Sequence, residues 1–140
     1  MSLSLKNFLT LLPIILVLDL VWLGLLMHSF YDAEIGSLAR RSDGAMSPRW
    51  SAAIIVYLLI PAGTVLFVQP LLSGTTPYLQ AFGWGAAFGL IMYGVYDFTN
   101  LAVIEKRSLK MALVDLAWGC TLCGLSAVWI RFQLGLISKQ

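Results

Sequence analysis

The chain has 140 residues, of which 59% are hydrophobic and 11% are charged, and its formal net charge is +2. A typical soluble domain carries about 25% charged residues, so this composition excludes an ordinary soluble protein. The basic residues flank apolar segments and form no patch or stripe, so we expect no nucleic-acid partner.

Four apolar segments are each close to the ~20 residues that cross a bilayer as a helix. They cover residues 9–27, 50–72, 78–104 and 111–132. We therefore predict an all-α integral membrane protein, a single domain over 1–140 with four transmembrane helices in an antiparallel bundle. The first segment resembles a signal peptide, but it is long, it contains Asp19, and no small-residue cleavage site follows it. We predict that it is retained as a span.

The first two spans are joined by residues 28–49, in which apolar side chains recur on one helical face. This pattern predicts a short helix lying in the membrane interface. Pro61 inside the second span is expected to kink it or break it locally. In the third span, Gly85 and Gly89 form a GxxxG pattern that permits close helix contact, and we expect it to pack inside the bundle rather than to drive self-dimerisation.

The positions of lysine and arginine predict the orientation, because cytoplasmic loops carry an excess of them. An even number of spans places both termini on one side of the membrane. The side of the termini carries the smaller set, which is Lys6, Arg131 and Lys139. The other side carries the larger set, which is Arg40, Arg41, Arg49, Lys106, Arg107 and Lys110. We therefore expect both termini to lie outside the cytoplasm.

Three aspartates, Asp19, Asp97 and Asp115, lie within the predicted spans. A carboxylate at the centre of a membrane helix costs roughly 2.5–3.5 kcal/mol on insertion scales. Counting about 1.5 Å of helical rise per residue from the span ends places all three in one layer, in the cytoplasmic half of the membrane. The same count places no lysine or arginine at that depth. We therefore expect at least one aspartate to be protonated at neutral pH, and the three to titrate as a coupled group.

Asp19 and Asp115 each begin the motif D-L-x-W, which places Trp22 and Trp118 on the same helix faces three residues later. Because the first and last spans run in opposite directions, each aspartate would approach the tryptophan of the other motif. A buried indole N–H needs an acceptor. We predict two crossed hydrogen bonds, from Trp118 to Asp19 and from Trp22 to Asp115.

On the third span, Tyr93, Asp97 and Asn100 share one helical stripe that offers a hydroxyl, a carboxyl and an amide. With the rings of Trp22 and Trp118, these groups suit an apolar ligand pocket that has few polar groups. We favour the binding or transport of a small or lipid-like ligand, with the three aspartates as proton carriers. One alternative is a membrane enzyme that acts on a lipid or isoprenoid with an aspartate as general acid or base. The other is a structural or accessory subunit of a membrane complex.

The remaining sequence patterns are weak, and we predict no cofactor and no metal site from them. Cys120 and Cys123 have the C-x-x-C spacing of thiol oxidoreductases, but a membrane quinone reductase needs further cysteines, and the same segment is typical of a small-residue packing face. The aspartates lack the dense ligand spacing of a dedicated cation site. His28 is the one histidine, so haem ligation by two histidines within the chain is excluded.

Three motifs resemble the DUF2177 family of small bacterial membrane proteins of unknown function. They are D-L-x-W in the first span, Y-D-x-T-N at 96–100 and V-D-x-A-W-G at 114–119. The similarity covers nearly the whole chain, although residues 106–109 stand where the family often has a Trp-Pro pair. The resemblance implies a bacterial inner-membrane protein, and it implies no activity. In such a membrane, the lysine and arginine counts would make the termini periplasmic. We expect membrane lipids as partners, with a homodimer or a larger membrane complex as further possibilities.

Overall fold

The structure, a computed structural model, describes residues 2–138. Five α-helices and a hairpin of two very short strands follow one another along this part of the chain. In chain order they are α1 (Leu3–Val21), α2 (His28–Ile35), β1 (Arg41–Ser42), β2 (Ala45–Met46), α3 (Trp50–Gly63), α4 (Tyr78–Val103) and α5 (Leu109–Ile137). Helix α1 continues as a π-helix over Trp22–Leu26, and α3 continues as a π-helix over Thr64–Val68 and a 3-10 turn over Gln69–Leu71.

Four helical segments within the described residues are long and apolar enough to cross a membrane. They are Leu3–Leu26, Trp50–Leu71, Tyr78–Val103 and Leu109–Ile137. This confirms the prediction of an all-α membrane protein with four spans. Helices α1 and α5 begin earlier than predicted, because a serine side chain caps each of them. Ser2 accepts from the Leu5 N–H at 3.3 Å, and Ser108 accepts from the Met111 N–H at 3.0 Å.

Helix α2 lies in the connection where the sequence predicts a short helix. Its location in the membrane interface stays a prediction. The orientation also stays a prediction, and Lys139, which contributes to it, lies outside the described residues.

Helices α4 and α5 form the most extensive helix pair of the structure. Gly85 and Gly89 face α5, where a Cβ on Gly89 would overlap the carbonyl oxygen of Gly119 and a Cβ on Gly85 would overlap that of Cys123. The GxxxG pattern therefore packs inside the chain, as we expected. Both cysteines are free thiols, and Cys123 is fully buried in this contact. The C-x-x-C segment therefore forms part of the packing face.

A cluster of buried apolar side chains fills the middle of the structure. It includes Leu11 and Ile15 of α1, Ile60 of α3, and Leu122 and Ile130 of α5. On α1 the buried stripe continues in both directions, to Asn7 at one end and Asp19 at the other. The polar layer that contains Asp19 therefore lies on one side of this apolar core, at the end of the spans next to α2. We call this the α2 end.

Pro61 does not end α3, which remains α-helical to Gly63. The disturbance that the sequence predicts lies just beyond the proline, where the helix widens into the π-helix at Thr64–Val68. There the hydroxyl of Thr64 donates to the Ile60 carbonyl at 2.9 Å. Such widened turns are frequent at functional sites, and the π-helices at Trp22–Leu26 and Thr64–Val68 lie in spans that border the site described next.

Candidate functional site

The three aspartates are joined by one network of contacts at the α2 end. Asp97 is fully buried, Asp19 is 6% exposed, and the Asp115 side chain is 14% exposed. Each comes from a different helix: Asp19 from α1, Asp97 from α4 and Asp115 from α5. The structure therefore brings the three aspartates together in one layer, as we expected. The groups that connect them differ from those that the sequence predicts.

Arg107 lies in the loop between α4 and α5, and its guanidinium reaches back between two of the aspartates. Its Nη2 donates to Asp97 and, at 3.0 Å, to Asp115, and its side chain is only 11% exposed. The expectation that no cation lies at the depth of the aspartates is therefore wrong. Counting residues places Arg107 at the edge of the membrane, but its long side chain extends inward from there to the two carboxylates.

Tyr31 of α2 connects this ion pair to the tryptophans. Its hydroxyl donates to Asp115 and accepts from the Trp22 Nε1–H at 3.3 Å. The predicted direct bond from Trp22 to Asp115 is therefore wrong, because α2 folds back and places a phenol between the two groups. The sequence indicates only that Tyr31 lies on the apolar face of α2, so its contact with a carboxylate could not be found there.

The other predicted hydrogen bond between the two D-L-x-W motifs is confirmed. Trp118 Nε1–H donates to Asp19 at 2.7 Å. The rings of Trp22 and Trp118 stack with their centroids 4.5 Å apart and their planes 1° from parallel. The two D-L-x-W motifs therefore do lie side by side, and their tryptophans form one continuous aromatic surface.

Burial raises the pKa of the Tyr31 phenol, and its hydrogen bond to Asp115 raises that pKa further, while the hydrogen bond from Trp22 lowers it. An ordinary phenol has a pKa near 10. Tyr31 therefore keeps its proton throughout the physiological range and remains a hydrogen-bond donor to Asp115.

We expect Tyr31→Phe to lower the free energy of unfolding by about 1–2 kcal/mol, because a part-buried carboxylate and an indole N–H both lose a partner. Since the phenol pKa is higher in the folded state, this contribution is complete below about pH 10 and is lost as the pH rises through the folded pKa. Denaturant unfolding in detergent at neutral and alkaline pH measures it. Tyr96→Phe, on an exposed α4 side chain, is the control, and equal effects of the two substitutions would contradict the role of Tyr31.

A partly open pocket of about 250 Å³ lies beside this network. Its walls include Asp19 and Asp115 and the aromatic residues Tyr31, Tyr57, Tyr93 and Trp118. Two apolar grooves border it along α3. One, of about 510 Å³, shares Val56 and Tyr93 with the pocket and runs between α3 and α4. The other, of about 440 Å³, shares Ala53 and Tyr57 with it and runs between α1 and α3.

Helix α2 covers the network and is attached to the start of α5. Glu34 accepts from the Ser108 hydroxyl and lies 3.6 Å from the Lys110 ammonium. The same ammonium lies 5.0 Å from the centroid of the Phe30 ring. Together with Tyr31, these contacts hold α2 across the end of the site.

The residues of the predicted α4 stripe are not all brought together. Tyr93 lines the pocket, and its ring packs against Gly119 of α5, while Asp97 is held by Arg107. Asn100 is half-buried, does not line this pocket, and makes no side-chain hydrogen bond within the described residues. In the same part of the chain, no group of three or more His, Cys, Asp or Glu side chains is placed to hold a metal ion.

The four apolar spans define a multi-pass integral membrane protein, and its polar side chains converge at one end of them. A family model described as "Predicted membrane protein (DUF2177)" matches residues 4–131, and the chain belongs to this family. The resemblance seen in the three motifs is thereby confirmed. No curated protein and no solved structure matches the chain.

Proposed function

We propose that this protein binds an amphiphilic, lipid-like ligand from the bilayer and couples its movement to protonation within the layer of three aspartates, chiefly at Asp19. The observation that supports this most strongly is that the pocket beside Asp19 shares wall residues with the apolar grooves along α3, so the cavities lie next to one another. A polar head group would lie at the carboxyls and an apolar tail in a groove. We also propose that the protein lies in a bacterial inner membrane, as the family resemblance implies, with periplasmic termini, which the distribution of its basic residues favours.

The size and lining of this region suit such a ligand. Pockets for small molecules occupy about 300–1,000 Å³ and are mostly apolar, with a few polar groups that orient the ligand. The groove between α3 and α4 alone has about 510 Å³ and is lined by apolar and aromatic side chains. Val56, Leu59 and Tyr96 in its walls are 50–61% exposed along the sides of the spans, so a lipid tail reaches the groove from the bilayer without crossing water.

The charges divide the polar network into two parts with different roles. Arg107 forms ion pairs with both Asp97 and Asp115, so these two carboxyls and Tyr31 form a fixed framework between α2, α4 and α5. Asp19 accepts from the uncharged indole of Trp118 and faces the pocket. When the Asp19 carboxyl gains or loses a proton, the charge that a ligand meets therefore changes, while the framework keeps its shape.

A groove-filling substitution tests the binding of a lipid-like ligand. Val56 lines both the pocket and the larger groove, and we expect Val56→Trp to lower the occupancy of co-purifying lipid about tenfold, which corresponds to a clash of ~1.4 kcal/mol. Native mass spectrometry of protein released from gentle detergent measures the bound lipid. Ile55→Trp, at the neighbouring exposed position outside these grooves, is the matched control and should keep it.

The same measurement separates the alternatives. Recovery of a chemically altered lipid, formed by wild type from an added lipid, would favour an enzyme. Absence of bound lipid from wild type and from Ile55→Trp would contradict the proposal and favour a structural subunit.

A further inference from the structure

Two aspartates face the pocket, and their charges are compensated differently. Asp115 accepts from Tyr31 with one oxygen and from Arg107, at 3.0 Å, with the other. Asp19 accepts from Trp118 at 2.7 Å with one oxygen, and within residues 2–138 it forms no ion pair. The pocket therefore contains one carboxyl, Asp19, that no cation of the described chain compensates.

The walls around Asp19 are aromatic and uncharged. Tyr57, Tyr93 and Trp118 come from three different helices and line the pocket with it, and none of its lining residues is basic. Arg107 lies against Asp115 and Asp97 and does not line the pocket. Aromatic rings around a carboxylate are the surroundings that recognise an ammonium group, because ring faces attract cations and the carboxylate supplies the opposite charge.

We propose that the head group bound beside Asp19 is cationic, so that the ligand is an alkylammonium-type amphiphile with its tail in the groove between α3 and α4. This inference rests on the proposed function and adds the class of ligand to it. An anionic head group would meet the carboxyls of Asp19 and Asp115 with no basic side chain in the pocket to attract it. A cationic head group compensates Asp19 in a site where a lone charge is costly.

The test compares three amphiphiles that have the same alkyl chain: dodecyltrimethylammonium, a neutral dodecyl ethoxylate and dodecyl sulfate. Binding to the full chain in nanodiscs is measured by equilibrium dialysis. We expect wild type to prefer the cation, and Asp19→Asn to weaken binding of the cation at least tenfold while binding of the neutral amphiphile is unchanged. Asparagine keeps the shape of the side chain and still accepts from Trp118.

Asp43→Asn is the matched control, because Asp43 is exposed in the turn between β1 and β2, and we expect it to bind all three amphiphiles like wild type. Tyr57→Leu is a second variant, which removes one ring from the pocket and keeps Asp19. We expect it to weaken binding of the cation and to leave the neutral amphiphile unaffected. It also tests the proposal if Asp19→Asn does not fold.

The outcomes separate this inference from the proposed function. Equal binding of the cation by wild type, Asp19→Asn and Tyr57→Leu would overturn the inference, as would a preference for dodecyl sulfate. If the neutral amphiphile still binds in a manner that Val56→Trp abolishes, the proposed function stands without the cationic head group. If no amphiphile binds in a manner sensitive to Val56→Trp, both are wrong.

Discussion

Arg107→Gln is expected to lower the free energy of unfolding by about 3–5 kcal/mol, because it removes the single cation that two buried carboxylates share. Asp97 is fully buried and the Asp115 side chain is 14% exposed, and neither has another cationic partner within the described residues. Removing one member of a buried ion pair costs far more than the pair contributes, since the remaining charge stays out of water. Denaturant unfolding of the protein in detergent micelles, followed by helical circular dichroism, measures the loss.

Two further variants distinguish this electrostatic cause from a general effect on the loop. Lys106→Gln removes the neighbouring exposed charge, and we expect a change within about 0.5 kcal/mol. Adding Asp97→Asn to Arg107→Gln should recover part of the loss, because it removes one of the two uncompensated carboxylates. Equal stabilities of Arg107→Gln and Lys106→Gln would show that the arginine does not neutralise the layer.

Features that depend on one helix at a time could be predicted from the sequence. The lengths of the apolar segments predict four spans, and the helical rise places the three aspartates at one level. The two D-L-x-W motifs predict the bond from Trp118 to Asp19, because they fix both the face and the level of each group on its own helix. Such patterns depend on the regular geometry of the helix, and this geometry is retained in the structure.

The groups that the sequence could not predict come from outside the spans. Arg107 lies in a loop, where no periodic pattern determines the direction of a side chain, and Tyr31 lies on α2, whose packing against the spans no pattern within that helix predicts. Tyr31 reaches Asp115 because the chain widens into a π-helix at Trp22–Leu26 and then turns into α2. Whether a loop arginine points to water or to the core depends on the carboxylates that tertiary packing brings beneath it.

Asn100 shows what the position of a residue on a helical face leaves open. It shares a stripe with Tyr93 and Asp97, but it lies in the last turn of α4, where its carbonyl accepts from the Ile104 N–H at 2.8 Å and the helix ends. A helical stripe predicts direction and level only. It does not predict how far the neighbouring helices extend to cover the residue, and here they leave Asn100 half-exposed.

The contact between α4 and α5 supports this site, because these two helices and their loop carry Asp97, Arg107 and Asp115. We expect Gly89→Ala to lower the free energy of unfolding by about 3 kcal/mol, at the upper end of the usual cost of overpacking. The added Cβ would overlap the backbone carbonyl of Gly119, and a backbone atom cannot move away by changing rotamer. In a bilayer, such close approach of small residues is a main source of helix association.

Gly94→Ala is a stringent control for this prediction, because it makes the same chemical change on the same helix. A Cβ on Gly94 would have no neighbouring atom within 4 Å, so alanine should leave stability unchanged or raise it by up to about 1 kcal/mol through its higher helix propensity. Unfolding of both variants and their oligomeric state by size-exclusion chromatography with light scattering form the test. A Gly89→Ala protein with wild-type stability but a changed oligomeric state would show that the GxxxG face joins two chains. Loss of stability without such a change is the result expected if the close contact lies within one chain, where it holds the two aspartates of α4 and α5 within reach of one guanidinium.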